Sequence, residues 1–290
     1  MVTDIPTKIE KSKKTQPGSF YKGGKMSTIY FSRDCNRKEF TAKIMEIFSE
    51  HFKKAEKFFL KPNIVSYEPH PTTTHPEILD SILSQLSNRE VTVGDAPAID
   101  AGRSNKIIAK SPLKQVCDSH GVKLVNLYSE KMQKVKSPRG YKLTISTLPL
   151  TSDFTISLPV LKTHFTVGLS GALKNQFGYL SKKDRLLMHT KIKNINKGIA
   201  EVNAAAPPNL FIIDAVETMV KAQECRHGGC PTKLGYILAG TDPVALDHFG
   251  LQLLQEQEPR FKENNQKALK YIEYAENIGL GSKNHTTKEI

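Results

Sequence analysis

The chain has no Trp, and nowhere does it offer the roughly 18–20 consecutive apolar residues that cross a bilayer. No membrane partner is expected from it. Cysteine is scarce: Cys35, Cys117, Cys225 and Cys230 are too few and too scattered among 290 residues to form a disulfide scaffold. Reduced thiols in a cytoplasmic protein are the plain reading. Residues 1–25 contain no apolar central stretch, so they do not read as a secretory signal. The G-x-x-x-x-G-K-[ST] spacing of a Walker A loop is missing as well. Acidic residues are outnumbered, 29 Asp and Glu against 42 Lys and Arg, which leaves a formal charge of +13. A basic surface attracts nucleic acid, anionic lipid or anionic metabolites without choosing among them.

What is present is a repeating alternation of short apolar runs and helical spacings. Residues 1–25 hold Pro6, Pro17, Gly18, Gly23 and Gly24 and read as a flexible basic leader. From 26 to 282 the pattern predicts strands at 28–31, 58–60, 91–95, 122–125, 154–158, 210–214 and 236–239. Helices are predicted at 39–52, from Pro76, at 111–120, 192–203, from Pro243 and at 269–278. Strands of four or five residues between helices of ten or more imply βαβ units. The expected fold class is α/β: a mainly parallel or mixed sheet flanked by helices in one compact unit. Residues 131–157 are less regular and suit added antiparallel strands, and 283–290 is expected as a tail.

The ends of the apolar runs carry the chemistry. In open α/β sheets, ligands bind outside the carboxyl ends of the strands. Here those ends read Lys61-Pro62-Asn63, Gly94-Asp95, Lys162-Thr163-His164, Asp214 and Asp242. Turn chemistry explains Gly94 and Asp242 well, but it explains Lys61 and Lys162 poorly, because Lys is not a turn former. From 160 to 200 there are eight Lys or Arg and one acid, Asp184. Within that run Gly168, Ser170 and Gly171 precede Ala172-Leu173-Lys174-Asn175. A glycine turn opening a helix presents free N–H groups to an anion. The competing reading is a glycine turn beside a solvated basic face. Thr72-Thr73-Thr74-His75-Pro76-Glu77 is a helix-start signature with more hydroxyls than one cap requires. Cys225 and Cys230 flank Arg-His-Gly-Gly, but a structural metal site normally takes four such ligands, and no metal ligand is assigned.

Taken together, Lys61-Pro62-Asn63, Thr74-His75-Pro76, Val93-Gly94-Asp95, Leu161-Lys162-Thr163-His164, Gly171-Ala172-Leu173-Lys174-Asn175 with Gly178, Asp214, Gly228-Gly229, Asp242-Pro243 with Asp247, and the closing Glu276-Asn277-Ile278-Gly279-Leu280-Gly281 stand in one order. The chain therefore resembles the family known as "domain of unknown function 362" over about 27–282. Many members are similar in carrying an added ferredoxin-like region with clustered cysteines. This chain has no C-x₂-C-x₂-C run.

The expectation is a small-molecule enzyme, or a ligand-binding protein, that takes a phosphorylated or carboxylated small molecule at the strand carboxyl edge. Lys61, Asn63, Thr74, Lys174, Asn175, Asp95 and Asp214 are the expected binding residues. His164, His75 and Lys162 are the candidates for catalysis, since imidazole alone titrates near neutral pH unperturbed. Asp95, Asp214 and Asp247 either orient those groups or hold Mg²⁺ against a phosphate. The sequence names no cofactor. Two alternatives stay open: a metal or iron–sulfur-linked redox protein built on Cys225, His227 and Cys230, and a nucleic-acid or polyanion binding module.

Overall fold

Prolines in the first turn set three helix starts. Pro76, Pro112 and Pro243 each follow a residue whose side chain accepts a backbone N–H, namely His75, Ser111 and Asp242. Proline's missing donor costs nothing there, because that N–H would be unpaired anyway.

The computed structural model describes residues 26–34, 36–258 and 262–290. The expected leader, 1–25, and Cys35 lie outside the described residues. The first half of the chain runs β1 (Ser27–Arg33), α1 (Arg37–Ile47), α2 (Ser49–Phe52), β2 (Lys57–Pro62), α3 (Pro76–Gln85), β3 (Glu90–Asp95), α4 (Ser104–Lys110), α5 (Pro112–Ser119), β4 (Lys123–Asn126), β5 (Met132–Lys136) and β6 (Lys142–Ser146). It continues with α6 (Leu148–Thr151), β7 (Phe154–Leu158), β8 (Val160–His164), β9 (Gly168–Ser170), α7 (Ala172–Asn175), α8 (Lys182–His189), α9 (Ile195–Ala205), β10 (Leu210–Val220), β11 (Cys230–Gly240), α10 (Pro243–Gln257), α11 (Lys262–Asn277) and β12 (His285–Glu289).

Ten strands form one sheet, with β12-β1-β11-β10-β7-β2-β3-β4 across it and β8-β9 branching from β10. Among the described residues six pairings are parallel and three antiparallel, so the sheet is mixed and mostly parallel. β5 and β6 make a separate antiparallel pair in the irregular 131–157 region. Successive side chains of a strand point to opposite faces, and both faces are covered here. Phe58 and Leu60 enter one apolar cluster with Ile78, Ile82 and Leu113. Phe59 enters the other with Leu173, Phe177 and Leu246. Burial on both sides is why these strands read as continuous apolar runs rather than alternating ones. No helix of the described residues is long and apolar enough to cross a membrane.

Several boundaries differ from expectation: α11 begins at Lys262 rather than 269, α9 runs to Ala205, the helix expected over 39–52 breaks into α1 and α2, and two further differences lie in the sheet. β10 and β11 extend past Asp214 and before Tyr236 as a long hairpin, with a bulge between Ala215 and Glu217. In its outer half Glu217, Thr218, Pro231, Thr232 and Lys233 break the apolar run, so it does not stand out in sequence; the pairing itself keeps it extended. Residues 283–290, expected as a tail, hold β12, which pairs parallel to β1 from Ser27↔His285 to Phe31↔Glu289. Asp242 fixes this corner. Its carboxylate accepts the Val244 and Ala245 N–H groups at 2.9 Å, the Ser282 N–H at 3.0 Å and the Ser27 hydroxyl at 3.0 Å.

Removing that carboxylate strips a helix cap and leaves further donors unpaired. Asp242→Ala is expected to lower the unfolding free energy by about 2–3 kcal/mol. Urea denaturation checks this, and a loss under about 0.5 kcal/mol would contradict the role given to Asp242.

Candidate functional site

A cleft of about 320 Å³ opens at the carboxyl ends of β2, β3 and β8. Its position follows from the topology, since parallel strands deliver their last residues to one edge. Lys61, Asn63, Asp95, Lys162, His164, Lys174 and Asn175 all line it. Seven of the ten residues put forward from sequence are thus brought together.

Lys61 is the deepest. Its ammonium lies 2.6 Å from the Asp95 carboxylate and 2.8 Å from the Pro62 carbonyl oxygen, and both charged side chains are almost wholly buried. Burial pulls the Lys61 ammonium downward while Asp95 holds it up. Asp95 also accepts the Ile64 and Ala96 N–H groups, both at 2.6 Å. Gly178 is why the pair fits. A Cβ there would stand 2.4 Å from Asp95 Oδ1 and 2.8 Å from Lys61 Cε. Asn175 closes the floor, donating to the Lys61 carbonyl oxygen at 3.0 Å and to the Ser157 hydroxyl at 2.9 Å.

Lys162, Lys174 and Arg185 form no ion pair with an acid among the described residues. Lys162 donates to Asn63 Oδ1 and to the Thr72 carbonyl oxygen, each at 2.7 Å. Burial pushes it down to about 8. Lys174 Nζ sits 4.1 Å from the centre of the Phe177 ring and has no hydrogen-bond acceptor among the described residues. Burial, then Arg185, Lys162 and Lys61, pushes it down to about 7. Arg185, from α8, spends one Nη on the Ala96 and Pro97 carbonyl oxygens at 2.9 and 3.1 Å and on the Tyr128 hydroxyl, while its buried Nε has no partner. His164 Nδ1 accepts the Thr166 N–H at 3.2 Å, so the proton of the neutral ring belongs on Nε2. Burial, with Lys174 next to it, holds His164 well below its ordinary value. It is therefore a neutral donor through Nε2. In this tautomer its one lone pair faces the Thr166 N–H.

Three sequence candidates lie elsewhere. Thr74 is buried behind the site. Its hydroxyl accepts the Asn63 N–H at 2.8 Å and donates to the Leu158 carbonyl oxygen at 2.6 Å, so it positions Asn63, which in turn holds Lys162. His75 caps α3, its Nδ1 taking the Glu77 N–H at 3.3 Å, and is not in the cleft. Asp214 pairs with Arg37 at 2.8 Å and receives the Val216 N–H at 3.0 Å, also away from it. The glycine turn needs a correction too. The Ala172 and Leu173 N–H groups donate to Asp247 at 2.5 and 3.1 Å, so the start of α7 already holds a carboxylate from the chain itself. Asp247 neither orients the cleft groups nor faces them.

Sequence reasoning missed Arg185, which was one of eight basic residues in 160–200 with nothing to separate it from its neighbours. It also missed Glu224, Asp100 and Phe165 at the cleft wall and mouth. Glu224 and Asp100 are held by Arg226 at 2.8 and 2.9 Å; Glu224 still acts on Lys162 through space, against its burial. Only the exposed Phe165, next to the Lys-Thr-His motif, gave a signal in sequence. Among the described residues no group of three or more His, Cys, Asp or Glu is placed to hold a metal ion. Cys225 and Cys230 flank the turn that carries His227, while Cys117 is sealed in the apolar layer under α5.

Lys61→Met leaves Asp95 buried without its cation. The expected cost is about 3–5 kcal/mol of stability, measured by chemical denaturation. A loss below about 1 kcal/mol would mean the pair does not anchor the cleft floor.

The chain is 26% identical over 215 residues to a thylakoid-associated protein of Synechocystis sp. (strain ATCC 27184 / PCC 6803 / Kazusa), a match covering 70% of this chain and 64% of that one. The chain thus spans less than two thirds of that relative's length. Among solved structures, the lactate racemase apoprotein of Thermoanaerobacterium thermosaccharolyticum is similar with a TM-score of 0.47 and 18% identity, over 76% of this chain and 55% of that one. A Thermotoga maritima protein is similar at 0.38 and 13%, over 83% and 58%. The profile of the family described as "Domain of unknown function (DUF362)" matches residues 59–252, the stretch that supplies every strand end at the cleft, and the chain belongs to that family.

Proposed function

We propose that the chain is a cytoplasmic enzyme that binds a phosphorylated or carboxylated small molecule in this cleft. One observation carries the reading: Lys162, Lys174 and Arg185 share the cleft, and none of them has a carboxylate partner among the described residues. Buried cations repel one another and lose hydration, a cost that an anion between them offsets. Lys61, already neutralised by Asp95, belongs to the scaffold. Lys162 and Arg185 are held in place by neutral oxygens, which fix the donors without cancelling their charge. That is what a preorganised anion site requires. His164 adds a neutral donor through Nε2. The volume of about 320 Å³ suits a small metabolite.

A thermal-shift screen of phosphorylated and carboxylated metabolites tests this. A ligand at about 100 times its Kd stabilises the wild type by roughly 2.7 kcal/mol. Lys162→Met, similar in volume and without charge, is expected to lose most of that gain. Equal stabilisation of the variant by every ligand found would reject the reading.

The same charges set a pH dependence. Lys174 and Lys162 lose their protons as pH rises through about 7 and about 8. Anion affinity is therefore full below that window and falls across it. Binding inside the window takes up protons. Oxalate keeps a constant charge there, and its affinity is expected to drop roughly tenfold or more from about pH 6 to about pH 9. Calorimetry in buffers of different ionisation enthalpy measures both the drop and the proton uptake. A flat profile would contradict the assignment of Lys162 and Lys174.

A further inference from the structure

The three cleft lysines are not equivalent. Lys61 has a carboxylate and a carbonyl oxygen, and Lys162 has two neutral oxygens. Acceptors around an ammonium favour its charged form and oppose the effect of burial. Lys174 has no hydrogen-bond acceptor among the described residues. Its Nζ lies over the face of Phe177, and it is partly exposed inside the cleft.

The charged groups around it push the same way. Lys162 and Lys61 approach from the sheet and Arg185 from α8, all repelling a positive charge on Lys174. Only Asp95 acts against them, and Lys61 already holds it at 2.6 Å. His164 and His189 also face the cleft, and Lys174 pulls both rings below their ordinary value; His189 is pushed down to about 4, by burial first. Neither ring supplies a negative charge. Glu224 and Asp100 on the cleft wall are held by Arg226.

The geometry points to Lys174 as a nucleophilic amine, and to the substrate as a small anion that also carries an aldehyde or ketone. This rests on the anion-binding reading above and names the substrate class of that site. The charged end of such a compound pairs with Lys162 and Arg185, and its carbonyl carbon meets Lys174 Nζ. The nitrogen lone pair forms a C–N bond as the carbonyl π electrons move to oxygen. The nitrogen then gives up its two hydrogens, which leave with that oxygen as water, and a C=N bond remains. No oxidant, reductant or metal enters the balance. A neutral amine next to fixed cations is the arrangement by which lysine side chains become imine formers. His164 Nε2–H is positioned as a donor within the same cleft.

Reductive trapping tests it. The full chain is incubated with glyoxylate or pyridoxal 5′-phosphate, reduced with cyanoborohydride, digested and mapped by mass spectrometry. The expected result is one adduct per chain, on Lys174, forming at least about tenfold faster than on the exposed Lys182 and Lys183 of the same basic run. Its rate rises with pH through about 7, the direction opposite to anion affinity. Benzaldehyde, which has the carbonyl and lacks the charge, is expected to label Lys174 much more slowly. In Lys174→Arg, with folding checked by circular dichroism, no adduct is expected on Lys162. Labelling of Lys174 no faster than Lys182 or Lys183 overturns the inference. If pyrophosphate, which has no carbonyl, still stabilises the chain, anion binding survives and imine formation alone fails. If no anion stabilises it, both fall together.

Discussion

The buried pair of Lys61 and Asp95 holds the functional edge in register. It joins the ends of two neighbouring parallel strands, and Asp95 also receives the Ile64 N–H just past β2 and the Ala96 N–H just past β3. Neither charge would be tolerated there alone. Gly178 is the space this pair occupies, so the chain after α7 is laid directly against it. Everything else in the cleft is referenced to that floor. Asn175 hangs from the Lys61 carbonyl, and Asn63, two residues past Lys61, carries Lys162.

Once Asp95 is spent on Lys61, no carboxylate among the described residues forms an ion pair with Lys162, Lys174 or Arg185; Glu224, paired to Arg226, acts on Lys162 only through space. Asp247, which looks from sequence like a further acid of the site, is used up on the N–H groups of α7. Asp214 is used up on Arg37. The protein therefore concentrates positive charge by assigning each nearby carboxylate a structural duty a few ångströms away. The positive charge in the cleft is carried by a set of side chains. A free helix end plays no part.

What could be read in sequence divides along this line. Local signals were legible: the Ser111-Pro112 and Asp242-Pro243 helix starts, the apolar runs of β2 and β7, and lysines standing where turn residues belong. Lys61 and Lys162 were conspicuous because a strand end explains Asn or Gly and does not explain an ammonium. Contacts between distant segments were not legible. Nothing near Gly171 announces that a carboxylate 75 positions later fills its turn. His75 carries a helix-start signature and turned out to be the cap itself, its Nδ1 taking the role usually given to a hydroxyl. Arg185 looked like one more residue of a solvated basic face, because helical position alone does not say which of several cations turns inward.

The place of β1 carries a consequence for how the chain becomes a protein. This strand, the first of the described residues, pairs with β11 and β12, and Thr28 meets Thr286 across 258 positions. On the ribosome β1 therefore waits without a strand partner while most of the chain is made, and the loop it closes is the longest in the fold. Until β11 arrives, the apolar Ile29 and Phe31 and an unpaired row of backbone groups face whatever is nearby. The finished sheet hides that liability by adding β12 on its outer side, a strand whose residues are mostly exposed and polar.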